Sequence, residues 1–327
     1  MNPTRRRLLA AALLLTAAFT LTAGSCKAAF TLRQAQDEYN AGVECLAKEP
    51  SLDPETMKFP VGADPRTRFQ SVLDVIDEGQ LTSSERPGHL RMAALTLQGY
   101  SHYALYRLTG VEAPKTGDEH YAAALKVIDL RPEYYNNVAD LKKPIVRRED
   151  AMLRLLKPLL RMEYVFQKYD EARSKRPPND ATVQAATEAY KIYLEILQEY
   201  LDLREGGGIP RSSPVAAELV ILSLDAVQGA YEAYSQRFAW GSQPDNVVLE
   251  RKKDIELKIL GPGLALVKWY TSTATPGAPA DIASIPGLAP KFGASHEAVK
   301  QRWMELKSDL GMKFGVKYWS DIVWETP

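Results

Sequence analysis

An apolar residue returns every three or four positions along most of this chain, and that spacing limits what the chain can fold into more than any other feature. Leu32, Ala35, Tyr39, Val43 and Leu46 fall at i, i+3, i+7, i+11 and i+14, one stripe of an α-helix. A later set, Val183, Ala186, Tyr190, Tyr193, Leu194, Leu197 and Leu201, repeats the pattern. Convincing period-two alternation is absent apart from a short stretch at Gly315 to Trp319. The class is therefore all-α: an irregular helical-hairpin solenoid or bundle.

Local signals divide the chain into helices. Asp64-Pro65 supplies an N-cap and a proline at the first helical position, opening a helix that Gly79 can close. The next runs from about Pro87 to Thr109, with Gly110 and Pro114 as its stop, and a shorter one covers about Asp118 to Leu130. A long helix spans about Arg147 to Lys175, with a kink expected at Pro158. Another covers about Asp180 to Leu203. Residues 205–214 break the pattern, and Gly206-Gly207-Gly208 reads there as a hinge. Ser213-Pro214 repeats the cap-plus-proline signal and opens a helix to about Phe238. The segment from Val247 to Leu260 is helical until Gly261-Pro262-Gly263 interrupts it. Residues 271–293 are rich in Pro, Gly and small residues and read as a loop or linker. A last helix, about Ser295 to Leu310, leads into an aromatic tail carrying Trp319 and Trp324. The expected organisation is a leader over 1–25, one helical-repeat domain over 26–270, the linker, and a C-terminal helix with its tail over 294–327.

The leader has the layout of an export signal. Arg5, Arg6 and Arg7 precede an uncharged run from Leu8 to Phe19, the length of a signal-peptide core and short of a membrane span. Ala23 and Ser25 provide the small side chains that a signal peptidase needs for a cut before Cys26. The sequence Leu21-Thr22-Ala23-Gly24-Ser25-Cys26 resembles the bacterial lipobox, with Ala23 where that motif usually has Leu. The resemblance implies a lipidated Cys26 as the first mature residue. Two or more acyl chains on one cysteine give stable attachment where a single chain does not. Lys27 after the cysteine, by analogy with Gram-negative sorting, points to the outer membrane. Thr4 to Leu9 also resembles the twin-arginine export signal, so the general secretory and twin-arginine routes both stay open. The rival to lipidation is plain cleavage, which leaves Cys26 a thiol and allows a Cys26–Cys45 disulfide in an oxidising compartment.

Charge and motif content exclude several functions. The chain holds 41 basic and 41 acidic residues, and loss of the leader removes three arginines and no acid, leaving a net charge near −3. A nucleic-acid surface needs clustered basic charge, so nucleic acid is not an expected partner. The four histidines, His89, His102, His120 and His296, form no HxxxH or HExxH pattern, and there is no CxxC, GxSxG, Walker or dinucleotide fingerprint. Asp118-Glu119-His120 are consecutive, and on a helix they face different ways. No metal, no cofactor and no catalytic residue is expected, and the chain reads as a non-enzyme.

Tyrosine is the unusual resource. Sixteen are present, several at helical spacing: Tyr100, Tyr103 and Tyr106, then Tyr190 and Tyr193. A tyrosine offers apolar area and a hydroxyl, which suits a wet groove that takes a peptide or an apolar ligand, and it equally suits packing between helices. The segment from Leu90 to Pro132 resembles a tetratricopeptide unit through Leu95, Gly99 and Tyr103 in its first helix and Tyr121, Ala124-Leu125 and Pro132 in its second. Its inter-helix loop is long and its proline sits about three residues late against that family's pattern. The stretch "LQGYSHYALYRL" resembles the aromatic helix of accessory lipoproteins of periplasmic tripartite transport systems. These resemblances imply an envelope scaffold that holds a protein or peptide partner. The alternative is a transport accessory lipoprotein that binds a small or apolar ligand.

Overall fold

The computed structural model describes residues 26–47, 64–109, 113–130, 144–174, 180–205, 214–237, 245–271 and 296–311. Among them the chain is helical with no strand. The leader, most of the Pro/Gly-rich linker, the short strand expected at Gly315 to Trp319 and the aromatic tail lie outside the described residues. The helices are α1 (Cys26–Ala47), α2 (Pro65–Glu78), α3 (Gly88–Thr109), α4 (Pro114–Leu130), α5 (Pro144–Ser174), α6 (Asp180–Glu205), α7 (Pro214–Arg237), α8 (Asp245–Ile255), a π-helical turn (Glu256–Leu260), α9 (Gly261–Thr271) and α10 (His296–Gly311).

The starts follow the local chemistry. The Asp64 carboxylate accepts a hydrogen bond from the Arg66 backbone N–H at 2.9 Å, and Pro65 occupies the first turn of α2. One otherwise unpaired N–H is thereby satisfied and none is wasted on proline. Gly79 caps the far end in right-handed helical geometry, and the left-handed residue that closes the turn is Gln80, with φ of 47°. Leu81 N–H then reaches back to Ile76 O at 3.1 Å, the long bond of a Schellman-type ending. Helix α4 begins at Pro114, four residues before the expected start, because proline at a first-turn position opens a helix as well as ending one.

The expected break at Gly261-Pro262-Gly263 is not a break. The helix widens to a π turn just ahead of Pro262, where Gly261 N–H bonds Glu256 O, and then resumes as α9. Widening the ladder by one residue absorbs the proline ring and its missing donor. Ile259 and Leu260 before the triplet, and Leu266 and Val267 after it, are all buried, so packing holds both segments in one run. Pro158 lies inside α5, as expected from the sequence.

The chain divides into two compact units, with the division between Lys157 and Pro158 within α5. In the first unit α1 pairs with α2, and α3 packs on α1, α2 and α4. Helix α3 also meets the start of α5, where the Tyr100 hydroxyl donates to Met152 O at 3.0 Å. Surrounded in this way, α3 buries 14 of its 22 residues and has no solvent-facing stripe, as a central helix must. In the second unit α6 and α7 form the main pair, α9 crosses both, and α10 packs on α7. The C-terminal helix, with Trp303 buried, therefore belongs to the second unit.

Candidate functional site

The five tyrosines singled out by spacing are interior residues. Tyr100, Tyr103 and Tyr106 are 2%, 1% and 1% exposed, and Tyr190 and Tyr193 are 5% and 6% exposed, which is too little to line an open groove. Each has a packing or polar role within its unit. In the first unit the Tyr100 hydroxyl ties α3 to α5 through the Met152 carbonyl, and the Tyr106 ring lies 5.3 Å from that of Tyr121 on α4. The Arg107 guanidinium sits 5.8 Å above Tyr103. In the second unit Tyr190 meets Tyr234 of α7 edge to face at 5.2 Å, a favoured aromatic geometry.

Glycine makes these contacts close. On α3, a β-carbon at Gly99 would stand 2.7 Å from Leu156 Cδ2 and 3.3 Å from Val127 Cγ1, so α4 and α5 press on α3 where it has no side chain. On α7, a β-carbon at Gly229 would lie 2.4 Å from Cζ and 2.6 Å from Cε1 of Tyr193. The Tyr193 ring therefore rests directly on the α7 backbone.

Of the remaining positions that resemble a tetratricopeptide unit, Leu95 and Ala124 are fully buried, and Tyr121 and Leu125 are half-buried. Pro132 lies outside the described residues.

The polar feature that sequence reading passed over is a histidine pair. His102 on α3 and His120 on α4 bring their Nδ1 atoms to 3.1 Å, with ring centroids 5.4 Å apart. That distance suits an N–H of one ring donating to the lone pair of the other, which requires at least one ring to be neutral. Burial, and then the neighbouring His120, pushes His102 down to about 4. Burial also lowers His120, while Glu119 pulls it the other way. At neutral pH the pair is uncharged, a hydrogen-bonded staple across the α3–α4 hairpin. No sequence motif marks it, because the two residues are 18 apart and meet only through the register of two helices. Among the described residues no group of three or more His, Cys, Asp or Glu side chains is arranged to hold a metal ion.

The second unit joins its helices from outside. Arg161 on α5 pairs with Glu199 on α6 at 2.9 Å and also with Glu195. Arg302 on α10 pairs with Asp225 on α7 at 2.7 Å. The Tyr200 hydroxyl lies 3.3 Å from the Met162 sulfur, and Tyr169 donates to Gln236.

Cys26 is the first residue of α1, and the helix is seated at once: Lys27 is exposed, while Ala28, Ala29 and Leu32 are buried. Cys45 lies on the same helix as a half-buried free thiol. Nineteen residues of one α-helix separate the two cysteines by about 28 Å, far beyond the roughly 7 Å that a disulfide spans. An intramolecular Cys26–Cys45 bond is incompatible with α1. No described helix is long and apolar enough to cross a membrane.

The chain matches no family model, no curated protein and no solved structure.

Proposed function

We propose that this chain is an exported, non-catalytic scaffold of the bacterial envelope, held in the periplasm by lipid on Cys26, most simply at the outer membrane, and gripping a protein or peptide partner with a tetratricopeptide-like helical surface. The observation that carries this reading is the lipobox-like stretch ending at Cys26, behind a basic and then apolar leader. Two facts support it. Ala28, Ala29 and Leu32 of α1 are buried, so packed helix lies within a few residues of the proposed anchor. The geometry of α1 also removes the disulfide as a competing use of that cysteine.

Because the tyrosine stripes are buried, the partner is met by outer helix faces instead of an aromatic groove. The alternative, a transport accessory lipoprotein, asks for a ligand cavity beside "LQGYSHYALYRL". Tyr100, Tyr103, Ala104, Leu105 and Tyr106 of that stretch are instead packed among helices, which favours the scaffold reading.

Replacing Cys26 by alanine is expected to move the full chain from the membrane to the soluble fraction. Identical fractionation of the two forms would contradict the anchor. Cross-linking in intact cells followed by mass spectrometry is expected to return one enriched protein or peptide partner. A bound metabolite or lipid in place of a partner after native purification would favour the transport alternative.

A further inference from the structure

The first turns of α1 carry an exposed stripe that the fold leaves uncovered. Phe30 is 72% exposed, the most solvent-facing of the large hydrophobic side chains that stand exposed among the described residues. Lys27 and Arg33, three positions to either side, are exposed too, and neither forms an ion pair among the described residues. Positions three and four apart on a helix lie one above the other, so Lys27, Phe30, Arg33 and the exposed Gln34 form one face. Position 26 lies one turn below position 30 on that same face, about 6 Å away along the axis at 1.5 Å per residue. A lone exposed phenylalanine is ordinary on a protein surface. What sets Phe30 apart is that the residue one turn away is the proposed attachment point of the acyl chains.

We infer that the Lys27–Phe30–Arg33 face of α1 is a membrane-contact surface, with the Phe30 ring entering the headgroup region and the two basic side chains meeting anionic lipid phosphates. The inference rests on the lipid anchor proposed for Cys26. Acyl chains at position 26 bring the first turn of α1 within one helical turn of the bilayer. An aromatic ring flanked by basic groups is the side-chain set that settles at the boundary between apolar chains and headgroups. Charge complementarity acts in the same direction, since anionic surfaces attract nearby Lys and Arg over about a Debye length. The next exposed residues along α1 diminish the effect: Asp37 is about 16 Å from position 26 along the axis and bears the opposite charge. Contact is thus confined to the first two turns, and the anchored domain has a fixed footing in place of free rotation on its lipid.

The test uses the full chain, purified from membranes and reconstituted in phosphatidylcholine vesicles with or without phosphatidylglycerol. Phe30→Cys and Asp37→Cys, each combined with Cys45→Ser, carry a nitroxide label. The label's accessibility to dissolved oxygen is compared with its accessibility to an aqueous nickel chelate. Vesicle flotation, with Cys26→Ala as the reference, establishes whether the anchor is present. The expected result is a label at 30 that is oxygen-accessible and nickel-protected, more so with phosphatidylglycerol, while the label at 37 stays nickel-accessible. Lys27→Glu together with Arg33→Glu should abolish the phosphatidylglycerol dependence. Flotation that depends on Cys26 with a nickel-accessible label at 30 overturns the contact surface and leaves the anchor standing. Flotation that is the same for Cys26→Ala overturns the anchor and this inference with it. Protection at 30 that persists without vesicles and grows with protein concentration assigns the face to a second copy of the chain and also overturns the inference.

Discussion

Around α3 in the first unit the polar links between helices run through buried and half-buried positions, whereas α6, α7 and α10 of the second unit are joined by ion pairs at half-exposed positions, as α1 and α2 of the first unit are by Arg68 and Glu38. Helix α3 is tied to its neighbours by the Tyr100 hydroxyl on a backbone carbonyl and by two half-buried neutral imidazoles. Helices α6, α7 and α10 are instead strapped by Arg161 and Arg302 reaching acids on adjacent helices. An interior link is shielded from salt but depends on the protonation state of its members. A surface link tolerates pH near neutrality but is screened by ions. The two halves of one all-helical chain should therefore fail under different conditions.

The largest expected separation is with pH. Both histidines are shifted below the ordinary value of 6.5, so the unfolded state binds protons more readily than the folded one. The stability they contribute is complete above about pH 6.5 and falls as pH drops toward about 4, where His102 titrates, and the loss is on the order of 2–3 kcal/mol. Amide-exchange protection of α3 and α4 should decline over that window while that of α6 and α7 holds. His102→Gln should flatten the decline, and equal loss in both units would show that the pair is not responsible.

Glycine contacts give the next contrast. Gly229→Ala drives a methyl into the Tyr193 ring and should cost about 2 kcal/mol, an overpacking effect. Gly99→Ala meets chiefly the mobile end of Leu156 and gains helix propensity worth up to about 1 kcal/mol, so its net effect should stay below about 1 kcal/mol. Chemical denaturation of both variants checks the order. Removing a strap comes third: Arg302→Met leaves Asp225 half-buried without that partner and should cost about 1–2 kcal/mol, with the wild-type advantage shrinking in 1 M salt. The smallest effect should be at Tyr39, whose hydroxyl is fully buried and, among the described residues, has no hydrogen-bond partner. Tyr39→Phe should be neutral or stabilising by up to about 1 kcal/mol, since no bond is lost and a desolvated hydroxyl is removed.

What the sequence disclosed depends on how local each signal is. The Asp64-Pro65 start was legible because the cap is formed within three residues, and the start at Pro214 was legible because proline suits the first helical position. Pro114 carries the same information but reads equally well as a stop for the preceding helix. The Gly261-Pro262-Gly263 triplet misleads because packing on both sides outweighs local preference, and a single π turn is enough to accommodate the proline. Tyrosine spacing defines a helix face but not what that face meets. The same periodicity serves a groove or a core, and only the presence of α4, α5 and α7 against those rings distinguishes them. The His102–His120 pair was invisible for a stricter reason: it exists only once two helices share a register. The lipobox-like stretch is the opposite case, a signal written in six consecutive residues.

The most direct measurement of the central claim is the mass of the N-terminal peptide of the mature protein taken from its native membrane fraction. The account predicts a peptide that begins at Cys26 and carries the added mass of a diacylglycerol and a further acyl chain. A peptide that begins elsewhere, or an unmodified Cys26, would contradict it.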